Sequence, residues 1–196
     1  MKILDLVQGS RAWHDFRSCH IGASDSSTIM GMNPWENISS LWEEKVLGWE
    51  KPHTDAMTRG QSMETMARES YQILTGLSVL PLVCEDDKIP YMSASFDGIT
   101  HDLTRAVEIK CGIKSHKSAK SGAIPAYYVC QLQHQMKIAE LDEIDYYSFD
   151  GKDGILIVQK RDNEFIKEML ERYSEFWNYV ITKTPPRQYH ETTFII

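Results

Sequence analysis

No apolar run in this 196-residue chain approaches the roughly 18 residues that a membrane-spanning helix requires. The opening MKILDLVQGS also lacks the apolar stretch of a secretory signal, so the expectation is a cytoplasmic protein with no membrane partner. The four cysteines, Cys19, Cys84, Cys111 and Cys130, are scattered, with no CxxC pair. That spacing excludes a clustered zinc or iron–sulfur set and offers no secreted disulfide framework, leaving four reduced thiols. Internal repeats and low-complexity linkers are missing as well. So is a positive coat: 21 Lys and Arg stand against 28 Asp and Glu, a net charge of −7. A general basic surface for nucleic acid is therefore disfavoured. A nuclease is not excluded, because carboxylates that hold divalent cations add negative charge and a basic channel can be local. The local basic runs are Lys110 to Lys120 (KCGIKSHKSAK) and the pair Arg11 and Arg17.

What is present is the composition of a soluble globular domain, 42% hydrophobic and 25% charged, and residues 1–196 are long enough to form one domain with a sizeable core. Ser10 is placed to cap a short helix carrying Trp13, Phe16 and Arg17, and Ser24 to cap a second that Gly31 ends. SSLWEEKVLG reads as a third helix closed by Gly48, and a longer one runs from about Asp55 to Thr75, stopped by Gly76. The texture then changes. SVLPLVC, YMSASFDGI and RAVEIKC are short, alternating or β-branched, and bounded by Pro, Gly and Asp. A helix from about Pro125 to Leu141, two strands around Gly151–Gly154, and an amphipathic helix from Asn163 to about Thr182 complete the chain. Helix, three strands, helix, two strands, helix predicts an α/β (α+β) fold, a mixed sheet flanked by helices with extra helices at the N-terminus. Trp35, Trp42 and Trp49, spaced by seven, read as core residues, with a subunit face as the other option.

Chemistry concentrates in SFDGITHDLTRAVEIKCG, residues 95–112. If the second and third strands form a hairpin turning at Asp102–Leu103, partner numbers sum to 205 and Asp97 falls opposite Glu108. Their Cβ atoms would then lie about 5 Å apart on one face. Lys110 shares that face, while Ala94, Phe96, Val107 and Ile109 should form the opposite, apolar one. Two facing carboxylates repel by roughly 4 kcal/mol at 4 Å and an effective dielectric near 20. On an open surface, water and Lys110 relieve the repulsion; in a cleft, a proton or a divalent cation must. Hard oxygen ligands of this kind suit Mg²⁺, which takes one or two protein carboxylates plus waters and phosphate oxygens. Spacing alone leaves the surface hairpin and the metal site both open. Two flanking features bear on the choice. Glu64 sits on the helix before the strands, where it could equally form an i,i+4 pair with Arg68, and Tyr128, Gln131 and Gln135 share one face of the helix after them.

In this order and spacing, QGSRAWHDFRSCHIGASD, RGQSMETMA, SFDGI, VEIKC and YYVCQLQHQM resemble the phage lambda exonuclease family. That family is the viral-recombinase, alkaline-exonuclease branch of the restriction-endonuclease-like PD-(D/E)xK nucleases, and the resemblance runs from about Gln8 to Lys160. It implies a phage or prophage origin and a Mg²⁺-dependent 5′→3′ exonuclease acting on double-stranded DNA ends. By that resemblance Asp97, Glu108, Glu64 and the Ile109 carbonyl match metal ligands for two Mg²⁺ ions, with Mn²⁺ a possible substitute. Lys110 matches the lysine that orients the attacking water, and Gln131 with Tyr128 matches the polar helix lining the site. Arg17 and Ser24 match residues that hold a 5′-phosphate, with Trp13 an aromatic beside them. A phage single-strand annealing protein and a ring-shaped homotrimer are the implied partners, in the cytoplasm of a bacterial host. Two departures stand out. Gly22 replaces the family's threonine, and MNPWENISSLWEEK replaces an expected basic loop. The competing functions are an endonuclease or repair nuclease of the same superfamily, and a non-catalytic DNA-binding recombination module.

Overall fold

Capping and alternation govern the elements of the computed structural model, which describes residues 1–49 and 55–186. Ser10 starts α1 (Arg11–Ser18) by accepting the Trp13 N–H on its hydroxyl. Ser24, in contrast, caps nothing. The chain leaves β2 (Ile21–Gly22) through a 3₁₀ turn, Ala23–Asp25, into the single-turn α2 (Ser26–Ile29), and the Asp25 carboxylate accepts the Gly22 N–H at 3.0 Å. Asn37 caps α3 (Ile38–Leu47), which Gly48 closes in the left-handed region at φ 69°. Then follow α4 (Asp55–Thr75), β3 (Val79–Glu85), β4 (Met92–Thr100), β5 (Ala106–Cys111), α5 (Ile113–Lys120), α6 (Ala126–Ala139), β6 (Glu143–Phe149), β7 (Gly154–Lys160) and α7 (Asn163–Ile181). Three elements escape the sequence pattern: β1 (Lys2–Leu4), β2 and α5. The strands are too short to show a period. The inner face of α5 is Ser115, His116 and Ala119, which gives no apolar stripe.

The strands form one mixed sheet in the order β1-β3-β4-β5-β6-β7, with β2 parallel to β4. Its parallel pair, β5 and β6, needs a crossover, and α5 with α6 supplies it. On one face Ala67 and Tyr71 of α4 pack against Val107, Ile109, Tyr147 and Phe149. On the other, Leu41, Leu132, Met136, Tyr173 and Phe176 from α3, α6 and α7 enclose Phe96 and Tyr146. Trp42 belongs to this core, but Trp35 and Trp49 are exposed, so the core reading of the tryptophan series holds for one of three.

The central hairpin turns where the sequence indicates, with Leu103 left-handed at φ 61°, and Gly98 pairs Val107 while Ile99 pairs Ala106. Each pair sums to 205. The faces sort differently from the expectation, however. Between Leu80↔Ile99 and Leu82↔Phe96, β3 advances two residues and β4 three. The surplus residue is a β-bulge at Asp97–Gly98, opposite Pro81, which has no N–H to give to a ladder. The bulge reverses the alternation of β4. Ala94 and Phe96 therefore join the α6-side core, while Val107 and Ile109 pack on the α4 side, and no common apolar face forms.

One buried titratable group makes this fold sensitive to acid. His134 on α6 is bonded to the Tyr173 hydroxyl at 2.8 Å and the Ser93 carbonyl at 2.9 Å, and burial pushes its pKa down to about 4. The unfolded chain takes up that proton near pH 6.5, before the folded chain does. The stability present above about pH 6.5 is therefore lost as pH falls toward 4, by about 2 kcal/mol between pH 7 and pH 5. Denaturant unfolding at the two pH values should show the loss, and His134→Gln should reduce it. An unchanged pH dependence in that variant would reject the assignment.

Candidate active site

The bulge ends the β4–β5 ladder and substitutes a side chain for a backbone acceptor. Beyond Gly98↔Val107, the Ile109 N–H donates to Asp97 Oδ2 at 2.7 Å. From the other side, Arg68 Nε of α4 donates to the Asp97 carbonyl at 2.6 Å, and its Nη2 pairs with Glu64 one turn earlier. The Glu64–Arg68 pair therefore exists, but it is anchored to the sheet instead of solvated. Arg68 is a site residue that the sequence shows only as half of a helix pair.

Glu108 is held by three donors from two elements. Gln131 Nε2 and Lys110 Nζ each lie 2.6 Å from its Oε1, and Gln135 Nε2 lies 2.6 Å from its Oε2. Gln131 and Gln135 are four apart on α6, so one helical face serves both carboxylate oxygens. The spacing makes Gln135 legible in the sequence, but nothing local tells it from a polar helix flank. Tyr128, three residues before Gln131, brings its ring under the Lys110 ammonium, 4.7 Å from Nζ to the ring centre. Asp97, Glu108, Lys110, Glu64, Gln131 and Tyr128 are thus brought together.

Burial, then the neighbouring Glu108, push the Asp97 carboxyl well above the usual carboxylate range, with Lys110 pulling the other way. Burial also opposes the charge on Lys110, but Glu108 foremost, with Tyr128 and Asp97, holds it above the ordinary lysine range. Glu108 thus favours the charged form of the lysine. Among the described residues, no three His, Cys, Asp or Glu side chains converge tightly enough to cage an ion unaided. The donor set still fits a hard divalent cation: Asp97 and Glu108 offer carboxylate oxygens side by side, and the surroundings that disfavour a bare charge on Asp97 would favour a cation beside it. The Gln135 Oε1 is buried and, among the described residues, without a hydrogen-bond partner.

A second cluster lies on α1 and the 3₁₀ turn. Arg17 Nη2 donates to Ser24 Oγ at 2.7 Å, and its guanidinium stacks 4.6 Å from the Trp13 ring centre. The Trp13 indole N–H donates to Ser95 Oγ at 2.9 Å, two residues before Asp97 on β4. Beneath the arginine, Lys45 of α3 pairs with Asp25 at 2.8 Å and donates to the Arg17 carbonyl at 3.0 Å. Burial opposes the Asp25 charge, but Lys45 and then Arg17 lower its pKa to about 2. A Cβ on Gly22 would meet Arg17 Nε at 3.5 Å and Asp25 Oδ2 at 3.6 Å, ordinary contacts, so the position admits a Cβ that this protein lacks.

Known proteins share this arrangement of chain. The sequence profile described as a YqaJ-like viral recombinase domain matches residues 12–142. The chain is 25% identical over 174 residues to the uncharacterized protein YqaJ of Bacillus subtilis strain 168, covering 85% of itself and 54% of that protein. It thus spans about half the length of the curated relative it matches. Among solved structures it is similar to the alkaline exonuclease LHK-Exo from Laribacter hongkongensis, with a TM-score of 0.77 and 25% identity, covering 89% of this chain and 94% of that one. A phage-related exonuclease from Haemophilus somnus 129PT shares the fold at a TM-score of 0.62 and 17% identity, covering 87% of this chain and 99% of that one.

The bulge has a steric requirement that can be tested apart from any activity. A Cβ on Gly98 would lie 2.7 Å from Val79 Cγ2 and 2.8 Å from Val107 Cγ1, so both valines would have to move. Gly98→Ala should cost about 1–3 kcal/mol by overpacking. Thermal unfolding of Gly98→Ala with and without Val79→Ala checks the cause: the second change should recover part of the loss.

Proposed function

The chain belongs to the YqaJ-like viral recombinase family, and from that premise we propose that it is a Mg²⁺-dependent 5′→3′ exonuclease of linear double-stranded DNA. It would leave 3′ single-stranded overhangs for recombination by single-strand annealing. The observation that carries this function is the trio Asp97, Glu108 and Lys110 around a β-bulge, with Glu108 buried and Glu64 tied to the same bulge through Arg68.

Asp97, Glu108, Glu64 and the Ile109 carbonyl would hold two Mg²⁺ ions, or Mn²⁺ in their place. When bound, such a pair supplies an activated water and positive charge for the leaving oxygen. The remaining work falls to this chain's own groups. Gln131 and Gln135 fix both oxygens of Glu108, so its orientation does not depend on substrate. The Lys110 ammonium, kept cationic by its surroundings, stabilises negative charge as it develops on the phosphate. Tyr128 holds that ammonium in place, and Arg68 fixes the backbone from which Asp97 projects.

Arg17, with the Ser24 hydroxyl beside it, would grip the terminal 5′-phosphate, which carries more charge than an internal one. Trp13 backs the arginine. The exposed Lys114, Lys117 and Lys120 of α5, directly after the strand bearing Lys110, would contact the DNA backbone. A ring-shaped homotrimer fits a 22.6 kDa subunit too small to encircle a duplex by itself, and a phage annealing protein is the partner consistent with the family. The protein would act in the bacterial cytoplasm.

Two experiments test these assignments. Purified protein with Mg²⁺ should digest linear but not covalently closed duplex plasmid, and Asp97→Ala should abolish digestion while keeping the native circular-dichroism spectrum. Cutting of the closed form would make the protein an endonuclease, and wild-type rates in Asp97→Ala would remove Asp97 from the site. The second compares duplex ends: 5′-phosphorylated ends should be degraded faster than 5′-hydroxyl ends, and Arg17→Ala should shrink the difference. Equal rates on both ends in the wild type would reject the phosphate grip.

A further inference from the structure

Trp35 is 70% exposed, in the loop between α2 and α3. An indole left in water forgoes a large apolar burial, so its display calls for an explanation. The loop is firmly built. The Trp35 N–H donates to Asn33 Oδ1 at 3.0 Å, and Asn33 Nδ2 donates to Thr28 Oγ1 at 2.8 Å. Thr28 Oγ1 in turn donates to Glu36 Oε2 at 2.9 Å, and the Met32 and Asn33 N–H groups both reach the Ser27 carbonyl, at 2.8 and 3.0 Å. Met32, Asn33 and Glu36 are therefore tied back to α2, and Trp35 is held on that mount through Asn33.

The ring also has a place in a series. Trp35 meets Tyr127 edge-on with ring centres 4.9 Å apart, and Tyr127 meets Tyr128 at 4.5 Å. Tyr128 carries the Lys110 ammonium on its face. A continuous row of aromatic rings thus leads from the surface to the lysine of the active site.

Resting on the nuclease function above, we propose that Trp35, braced by Tyr127, is a stacking platform for an unpaired DNA base at the entrance to that site. Bases inside a duplex already stack on one another, so a free π-face selects an end base or a single strand. The loop has no cation between Gly31 and Ile38, so its contribution is stacking rather than phosphate attraction. The basic helix α5 supplies phosphate attraction separately.

The test uses the full chain in EDTA, where no cleavage occurs, and a duplex with three unpaired 5′ bases carrying 2-aminopurine. Wild-type protein should quench the probe and bind this end. Trp35→Ala should lose the quenching and bind about tenfold more weakly, within the range of one lost stacking contact. Its salt dependence should be unchanged, because no phosphate contact is removed. Trp35→Phe should keep most of the effect, and Trp49→Ala, at another exposed tryptophan, should match wild type. Three results would overturn the platform: undiminished quenching and affinity in Trp35→Ala, a reduced salt slope in that variant, or a change in its oligomeric state by sedimentation. The last would assign Trp35 to contact between copies of the chain. If the wild type quenches the probe but cuts no DNA with Mg²⁺ or Mn²⁺, the nuclease function falls and the platform stands. If it cuts DNA and Trp35→Ala behaves as wild type, the platform falls alone.

Discussion

One extra residue in β4, set against a proline that has no N–H to offer, organises the chemical part of this protein. The bulge at Asp97–Gly98 stops the ladder one step short of the acidic pair. A carboxylate then fills the position of a backbone carbonyl, and an arginine from the far side of the sheet secures the chain where it bends. Without the bulge, Asp97 would be an ordinary cross-strand neighbour of Glu108. With it, Asp97 stands between the helix that carries Glu64 and the helix that carries Gln131.

Around this point the protein treats its two carboxylates unequally. Glu108 is nearly inaccessible but amply supplied with donors from Lys110, Gln131 and Gln135. Asp97 receives one backbone N–H and lies in the field of two other acids. One acid is therefore a fixture of the fold, and the other sits where a bare charge is disfavoured and a bound cation would favour it. The same division of labour recurs at the second cluster, where Asp25 and Lys45 are buried supports and Arg17 and Ser24 face outward.

Much of this was legible in the sequence. Alternation with a turn at Asp102–Leu103 gave the register of the hairpin, because both signals are local. The i,i+4 spacing on α6 placed Gln131 and Gln135 on one face for the same reason. What escaped depends on contacts distant in sequence. The bulge is a mismatch between β3 and β4, so the sorting of Ala94 and Phe96 away from Val107 and Ile109 cannot be read from either strand alone. Arg68 looked like half of a surface pair until the Asp97 carbonyl was beside it. Ser24 had the composition of a cap, but the Asp25 carboxylate took that place and left the hydroxyl for Arg17. Helix α5 hid behind its lysines because small and polar residues form its buried side.

The Trp13–Ser95 hydrogen bond joins the two clusters at a point two residues from Asp97 on the same strand. Under the proposed function, the grip on a strand's end is therefore tied, through Trp13, to the same β-strand that carries the cutting site. Such an arrangement works as a ruler. The length of each step along DNA would be a dimension of the fold, unaffected by which bases pass through it.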